Sequence, residues 1–344
     1  SATANIGGSF SFDDDVPTVD VGLVSQASAP KLTTQDADTI GAAFDVAPAT
    51  GTASFAGLFN LTQDMGADDD GTAATLGYTL GVVSGGASGL TSDGNAITLV
   101  MVGNDVVGRT AAGGGTDIFK ISVNTSGNVT LTQYAEIDHV GENADGNSAN
   151  NSVNNLGLAA NAVTLTASAT IVDGDGDSAT DSATANIGGS FSFDDDVPTV
   201  STNQSVWLDD EGLAGGIPGA LIGDVAGEVT TISGTLNFDA GADGLQSIEL
   251  SGPTQLGAEP VTSVWSANTL TISSARGDLM KVVLTDPGAG LYTATLLKPL
   301  MHAAGDNEND ITLNIGYTVR DGDNDTASGS LTINIDDDVP QAYS

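Results

Sequence analysis

The chain has 344 residues, with 45 acidic against 7 basic side chains and a net charge of −38. So anionic a surface repels phosphate backbones and anionic lipid, which argues against nucleic acid and membrane insertion as partners. Hydrophobic residues still make up 40%, enough for packed cores rather than a disordered acidic tail.

The acid is lopsided, with 38 Asp and 7 Glu. Asp is the shorter carboxylate, at home in turns and common as an oxygen ligand in calcium loops. There is no cysteine, so disulfides and thiolate metal sites are ruled out. No apolar run is long enough to span a bilayer, and no basic-then-apolar leader opens the chain. Ser1-Ala2-Thr3 reads as a cut through a longer protein, which leaves room for a secretion signal elsewhere.

Residues 1–15 read as the last strand and linker of a preceding repeat. The string SATANIGGSFSFDDDVPTV, Ser1 to Val19, recurs unchanged from Ser182 to Val200, and a looser copy runs from Ser330 to Ala342. This punctuation predicts a longer repeat over residues 16–196 and a second one over 197–344 with a C-terminal linker. Period-two alternation predicts strands over Ala96–Val102, Ile118–Val123, Asn128–Gln133 and Val163–Ile171 in the first. Val140 to Ala160, rich in Asn and Gly, reads as a solvated loop and the best place to look for a ligand contact. In the second repeat the same pattern predicts strands over Thr269–Ser273, Met280–Leu284, Ile311–Val319 and Ser330–Ile335. The repeats also match internally: NVTLTQYAEIDH parallels LYTATLLKPLMH, and FNLTQDMGADDDG parallels LNFDAGADG. No twelve-residue stretch is convincingly helical. The expected fold is all-β: two tandem Ig-like antiparallel β-sandwich domains, each burying one face of two stacked sheets.

Two acidic constellations point to metal. Asp173, Asp175 and Asp177 follow one strand, and Asp321, Asp323 and Asp325 follow its counterpart. In extended backbone alternate side chains share a side, so each trio is expected to converge. Unit charges 4 Å apart repel by about 1 kcal/mol in water and more at a protein surface, a strain that a hard divalent cation relieves. The second constellation is the punctuation: Asp13-Asp14-Asp15, Asp194-Asp195-Asp196 and Asp336-Asp337-Asp338, each followed by Val-Pro. The following acids, Asp36 and Asp38 or Asp209, Asp210 and Glu211, are expected to approach these runs and share calcium. Neither the EF-hand nor the glycine-rich nonapeptide pattern is present.

Catalysis is weakly supported. His139 and His302 occupy matching places, where packing or capping a turn accounts for them, and no nucleophile elbow, zinc-protease or phosphate-loop motif occurs. Aromatics are 5%, so Trp207 and Trp265 read as core or edge packing rather than a sugar platform. No enzyme activity is expected.

The ladders DGDGDSAT and DGDNDTAS, the DDDVP punctuation, VWLDDEGLAGG and LNFDAGADGL together resemble the tandem repeats of giant RTX adhesins. These are type I-secreted surface proteins of Gram-negative bacteria. Residues 197–340 resemble the tandem repeat most closely, and residues 16–196 a longer variant. The resemblance implies Ig-like sandwiches strung end to end and stiffened by Ca2+, extracellular on the bacterial cell surface, serving cell adhesion and biofilm. It implies an extender whose partners are neighbouring repeats of the same polypeptide. The alternative is a ligand-binding module, with a surface glycan or protein recognised by the longer first domain. A secreted hydrolase is a third reading that nothing in the spacing calls for.

Overall fold

The computed structural model describes residues 1–40, 50–69, 71–83, 85–110, 115–139, 156–216, 229–302 and 310–337. Packing divides the chain into two compact units. One comprises Ser1–Asp138 and Asn150–Asp195, the other His139–Ala149 and Asp196–Ser344. The chain is almost wholly β, as the alternation predicts; the one α-helical segment among the described residues is the single turn Ala37–Ile40.

The first unit opens with β1 (Thr18–Leu23), β2 (Leu32–Gln35), β3 (Thr50–Ser54) and β4 (Phe59–Asp64). There follow β5 (Gly77–Val82), β6 (Ala87–Ser92), β7 (Asn95–Val102), β8 (Asp105–Thr110) and β9 (Asp117–Val123). It closes with β10 (Asn128–Gln133), β11 (Leu156–Gly157), β12 (Val163–Val172), β13 (Ser178–Asn186) and β14 (Phe191–Asp194). One face of the sandwich is the six-stranded sheet β3-β10-β9-β8-β7-β6. The other is made of two three-stranded sheets, β11-β14-β2 and β13-β12-β5. Strand β12 shows why the sequence folds this way. Val163, Leu165, Ala167, Ala169 and Ile171 are buried, while the residues between them are not. Across the sandwich, Phe119 of β9 meets Phe193 of β14 with ring centroids 4.9 Å apart.

The second unit holds β15 (Thr199–Val200), β16 (Val206–Asp209), β17 (Thr231–Thr235), β18 (Phe238–Asp239) and β19 (Leu245–Ser251). Two short strands, β20 (Gln255–Leu256) and β21 (Glu259–Pro260), precede β22 (Thr262–Ser266) and β23 (Thr269–Ser274). The last four are β24 (Gly277–Asp286), β25 (Leu291–Leu296), β26 (Ile311–Asp321) and β27 (Thr326–Asp336). Sheet β17-β25-β24-β23-β22 faces sheet β16-β27-β26-β19, and their inward aliphatics form one core with Tyr292 and Tyr317. Trp265 packs against that core, whereas Trp207 lies on edge strand β16, half out of it.

The units share a core topology, although the larger sheet has six strands in the first and five in the second, and β11 and the β20-β21 pair have no counterpart among the described residues. In both, a strand near the start runs parallel to the last one: β2 beside β14, and β16 beside β27. A further difference lies in the last strand. The last strand is continuous in the second unit, but in the first a 3-10 turn, Gly188–Ser190, cuts it into β13 and β14. That cut splits the sheet in two.

Basic residues are scarce, and one does structural work. The Arg276 guanidinium forks onto Glu259, with Nε donating to Oε1 at 2.9 Å and Nη2 to Oε2 at 2.5 Å. Its third nitrogen donates to the Pro299 carbonyl at 3.0 Å. The guanidinium hydrogen bonds hold the Glu259 carboxyl down at about 2. A carboxyl depressed on folding adds stability that is present above its unfolded value, about 4.3, and lost as pH falls towards 2. Acid titration of the second unit's melting temperature is therefore expected to show a loss between about pH 4.5 and 2. Glu259→Gln should flatten that limb, as calorimetry at stepped pH can check.

Candidate metal centre

The acidic ladders are not extended strand. Asp173 to Asp177 is the turn that joins β12 to β13, closed by Asp173 N–H donating to the Asp177 carbonyl at 3.0 Å. One oxygen of Asp173 reaches over this loop and accepts from the N–H groups of Gly176 at 3.0 Å and Asp177 at 2.7 Å. The second ladder repeats the device between β26 and β27: Asp321 N–H donates to the Asp325 carbonyl, and Asp321 Oδ1 accepts from Asp325 N–H at 2.6 Å. The expected reason for convergence, strand alternation, is thus corrected. The first Asp folds the turn as an Asx cap, and the turn swings the later carboxylates round it.

In the first unit this brings five acids together. Ligand oxygens of Asp173, Asp175 and Asp177 lie within 4.8 Å of one another, as do those of Asp14, Asp68 and Asp175. Asp175, shared by both sets, is pushed up by the Asp173 carboxyl and by the charge of Asp14. In the second unit the equivalent turn is more enclosed. Asp321, Asp323 and Asp325 are all buried, and oxygens of Asp243 and Asp323 lie within 4.8 Å of each other. Burial first, then the Asp323 carboxyl and the charges of Asp323 and Asp325, pushes Asp321 up to about 8. Asp321 Oδ2 and both Asp323 oxygens are buried with no N–H or hydroxyl donor on them.

The punctuation supplies a clamp. Asp15 Oδ2 accepts from Ala67 N–H at 2.8 Å, and Asp196 Oδ2 accepts from Ala242 N–H at 2.8 Å. Each clamped turn is preorganised by its own Asp: Asp64 caps Gly66 N–H at 3.0 Å, Asp239 caps Gly241 N–H at 3.1 Å. Both glycines have positive φ, +74° and +77°. A Cβ on Gly66 would sit 2.1 Å from Asp15 Oδ2, and one on Gly241 would sit 2.4 Å from Asp196 Oδ2. This is why FNLTQDMGA and LNFDAGA keep glycine at that place. The clamp also explains why Asp196 packs with the second unit, although the punctuation predicts the first repeat to end there.

A second acidic group lies at the far end of each unit; β27 alone separates the two by roughly 33 Å at ~3.3 Å per residue. In the first unit Asp36 N–H donates to the Asp194 carbonyl at 3.1 Å, and the buried Asp36 carboxylate accepts from the Gln133 amide and from Ile137 N–H at 3.2 Å. Nearby Glu136 is raised to about 7, by burial first and then by the charges of Asp138, Asp36 and Asp93, against a lowering hydrogen bond from Ser92. The second unit repeats the backbone link, Asp210 N–H to the Asp336 carbonyl. Here His302 Nε2 faces Asp210 Oδ2 at 3.5 Å and Asp337 Oδ1 at 3.8 Å. Asp209 Oδ1 accepts from Glu211 N–H at 2.8 Å. Asp310 is raised by burial and by the neighbouring Asp336 carboxyl.

The predicted acids therefore separate into different roles. Asp173, Asp175, Asp177, Asp321, Asp323 and Asp325 gather at the ladder turns; Asp209, Asp210, Glu211 and Asp336 gather at the far end of the second unit. Asp194 contributes its main-chain carbonyl, Asp196 the clamp, and Asp195 is buried. Asp338 and residues 140–155 of the expected ligand-contacting loop lie outside the described residues. Sequence reasoning missed Asp310 and the partnership of His302 with Asp210; the matching places of the two histidines were the available signal.

As donor sets the two ends differ. The ladder turns offer only carboxylate oxygens, which suits a hard cation such as Ca2+. The far end of the second unit includes an imidazole nitrogen, which calcium does not favour.

Residues 31–188 match the family model described as Domain of unknown function (DUF5801). No curated protein matches the chain in sequence. Among solved structures, the chain is similar to the first three extracellular cadherin domains of mouse clustered protocadherin PcdhgC3. Identity there is 16%, coverage 63% of this chain and 50% of that one, and TM-score 0.21. It is similar too to the first four extracellular domains of Drosophila N-cadherin (9% identity, 89% and 47% coverage, TM-score 0.18). A third is mouse cadherin-23 over its domains 22–24 (12%, 94% and 98%, TM-score 0.20). The chain spans about half the length of the first two. Among the described residues no helix is long and apolar enough to cross a membrane.

Both clamped glycines are expected to resist substitution. Gly66→Ala and Gly241→Ala should each cost about 1–3 kcal/mol, because the methyl meets both a left-handed backbone and a capping carboxylate. Chemical denaturation of each variant beside Gly57→Ala, where a Cβ meets nothing within 4 Å, provides the comparison.

Proposed function

We propose that the chain is a non-catalytic extender of a secreted bacterial surface adhesin of the RTX type, stabilised by calcium and joined to neighbouring repeats of its own polypeptide. The observation that carries this reading is the oxygen-only carboxylate cluster that each ladder turn assembles at the equivalent place in both units. Asp323 best shows why a cation belongs there. Its two oxygens are buried with no N–H or hydroxyl donor on them, next to a second carboxyl that burial has already pushed up. Calcium would take those oxygens as ligands, with Asp321, Asp325 and Asp243 within the same turn region. In the first unit Asp173, Asp175, Asp177, Asp14 and Asp68 would do the same. The punctuation repeats the acid at each unit's border, which supports calcium as a stiffener of the repeat array.

Ligation adds stability by mass action, about 2.7 kcal/mol at a hundred times the dissociation constant. Extracellular calcium modules commonly bind at about 10⁻⁴–10⁻³ M, so millimolar calcium should raise both melting transitions above those in EDTA. Unchanged transitions by differential scanning calorimetry would refute the proposal. Asp323→Asn separates the site from the scaffold, since Asp323 makes no hydrogen bond that the turn needs. Its melting temperature in EDTA should equal or exceed the parent's, while calcium should bind about ten-fold more weakly in titration calorimetry.

A further inference from the structure

The repeated string gives the same 19 residues two environments. In the first unit's body, the Ser182–Asp195 part of the string runs through the end of β13, the Gly188–Ser190 turn and β14. There Ile187 and Phe191 are 1% exposed and Phe193 is 0%. Strand β14 lies between β2, to which it is parallel, and β11. Phe191 stacks on Phe55 and Phe193 meets Phe119 at a tilt, while Lys31 donates to the Gly189 carbonyl. In the N-terminal copy the same side chains face water: Ile6 is 60% exposed, Phe10 66% and Phe12 97%.

Yet the exposed copy has the shape of the buried one. It makes the same 3-10 turn, Gly7–Ser9, with Ser9 N–H donating to the Ile6 carbonyl at 2.9 Å as Ser190 does to Ile187. Backbone angles agree on both sides of the turn: φ, ψ are −110°, 2° at Ile6 and −117°, 1° at Ile187, then −110°, 126° at Phe10 and −110°, 134° at Phe191. Gly188 is required where it is buried, since a Cβ would meet the Ala159 carbonyl at 2.4 Å. At Gly7 the nearest atom is Asn5 Oδ1 at 3.4 Å, so the free segment makes no demand for glycine. Three apolar side chains, a preset backbone and an unneeded glycine all fit a slot of one kind.

We propose that Ser1–Asp15 is a strand donor. It closes a β-sandwich unit built as the first unit is, by laying Ile6, Phe10 and Phe12 into the place that Ile187, Phe191 and Phe193 fill here. The partner is defined by its chemistry: a parallel edge like β2, an aromatic floor like Phe55 and Phe119, and a lysine placed to meet the Gly8 carbonyl. Donation of a strand to a waiting edge gains both main-chain hydrogen bonds and pocketed side chains. In this chain the slot is already taken by the tethered copy, whose effective concentration is on the order of millimolar or above.

The slot of a second copy of the chain serves as the probe. Ser192 Oγ and Thr33 Oγ1 lie 2.9 Å apart across the parallel pair, and Ser11 is the twin of Ser192. The chain contains no cysteine, so an engineered pair reports cleanly. Ser11→Cys with Thr33→Cys is made in full-length chain carrying Phe191→Ser and Phe193→Ser, which weakens the resident strand. The expected result is a disulfide between residues 11 and 33, at least about ten-fold above that formed with exposed Thr125→Cys in place of Thr33→Cys. It should fall to background when Gly7→Ala is added. No excess over the Thr125 control would overturn the proposal. A second reading guards against failure to fold. With Phe191→Ser and Phe193→Ser, the first unit's melting transition should rise with protein concentration, and Phe10→Ser with Phe12→Ser should abolish that rise. A transition indifferent to those two changes, or a first unit left unfolded at high concentration with Phe10 and Phe12 intact, would equally overturn it.

Discussion

Like charges crowded into a turn are the constraint on which this molecule is organised. A five-residue loop holds three aspartates, and the first is spent on capping backbone N–H groups inside the loop. In the second unit all three are buried, whereas in the first only Asp173 is. In the second unit the loop is buried deeply enough that the Asp321 carboxyl rises to about 8. The sandwich around it is conventional in its packing, with aliphatic rows facing each other across two sheets.

Much of the fold was legible in the residues. The alternation in Val163–Ile171 and Asn128–Gln133 marks strands whose inward rows are buried in the structure, and the matched segments of the repeats occupy equivalent sheet positions. The acid at the ladders was legible as a cluster, but not as a turn. Period two describes a strand correctly up to Val172; beyond it, Asp173 changes the local rule by offering a side-chain acceptor to N–H groups three and four residues on. Such a cap depends on a short polar side chain competing with the ladder of the sheet, and composition alone does not announce which will win. The clamp by Asp15 and Asp196 was hidden for another reason. It joins residues about fifty positions apart, and only the pairing of β1 with β4, or β15 with β18, brings them together.

The identical string in two settings shows how far local sequence dictates conformation. Turn and flanking angles persist without any partner, so Gly-Gly-Ser and its neighbours encode them. Burial and strand pairing do not persist, because these belong to the surroundings. Divergence between the units makes the same point in reverse: the second unit reaches its terminal carboxylates by an uninterrupted strand of 11 residues, and the first by two shorter strands about a kink.

The parallel pairing of an early strand with the last one has a mechanical meaning. A pull that enters the second unit ahead of Val206 and leaves beyond Asp336 draws these two neighbours past each other along their length. Every hydrogen bond between Val206–Asp209 and Ile333–Asp336 then bears load at once instead of opening singly from one end. Such shear resists tension far better than peeling does.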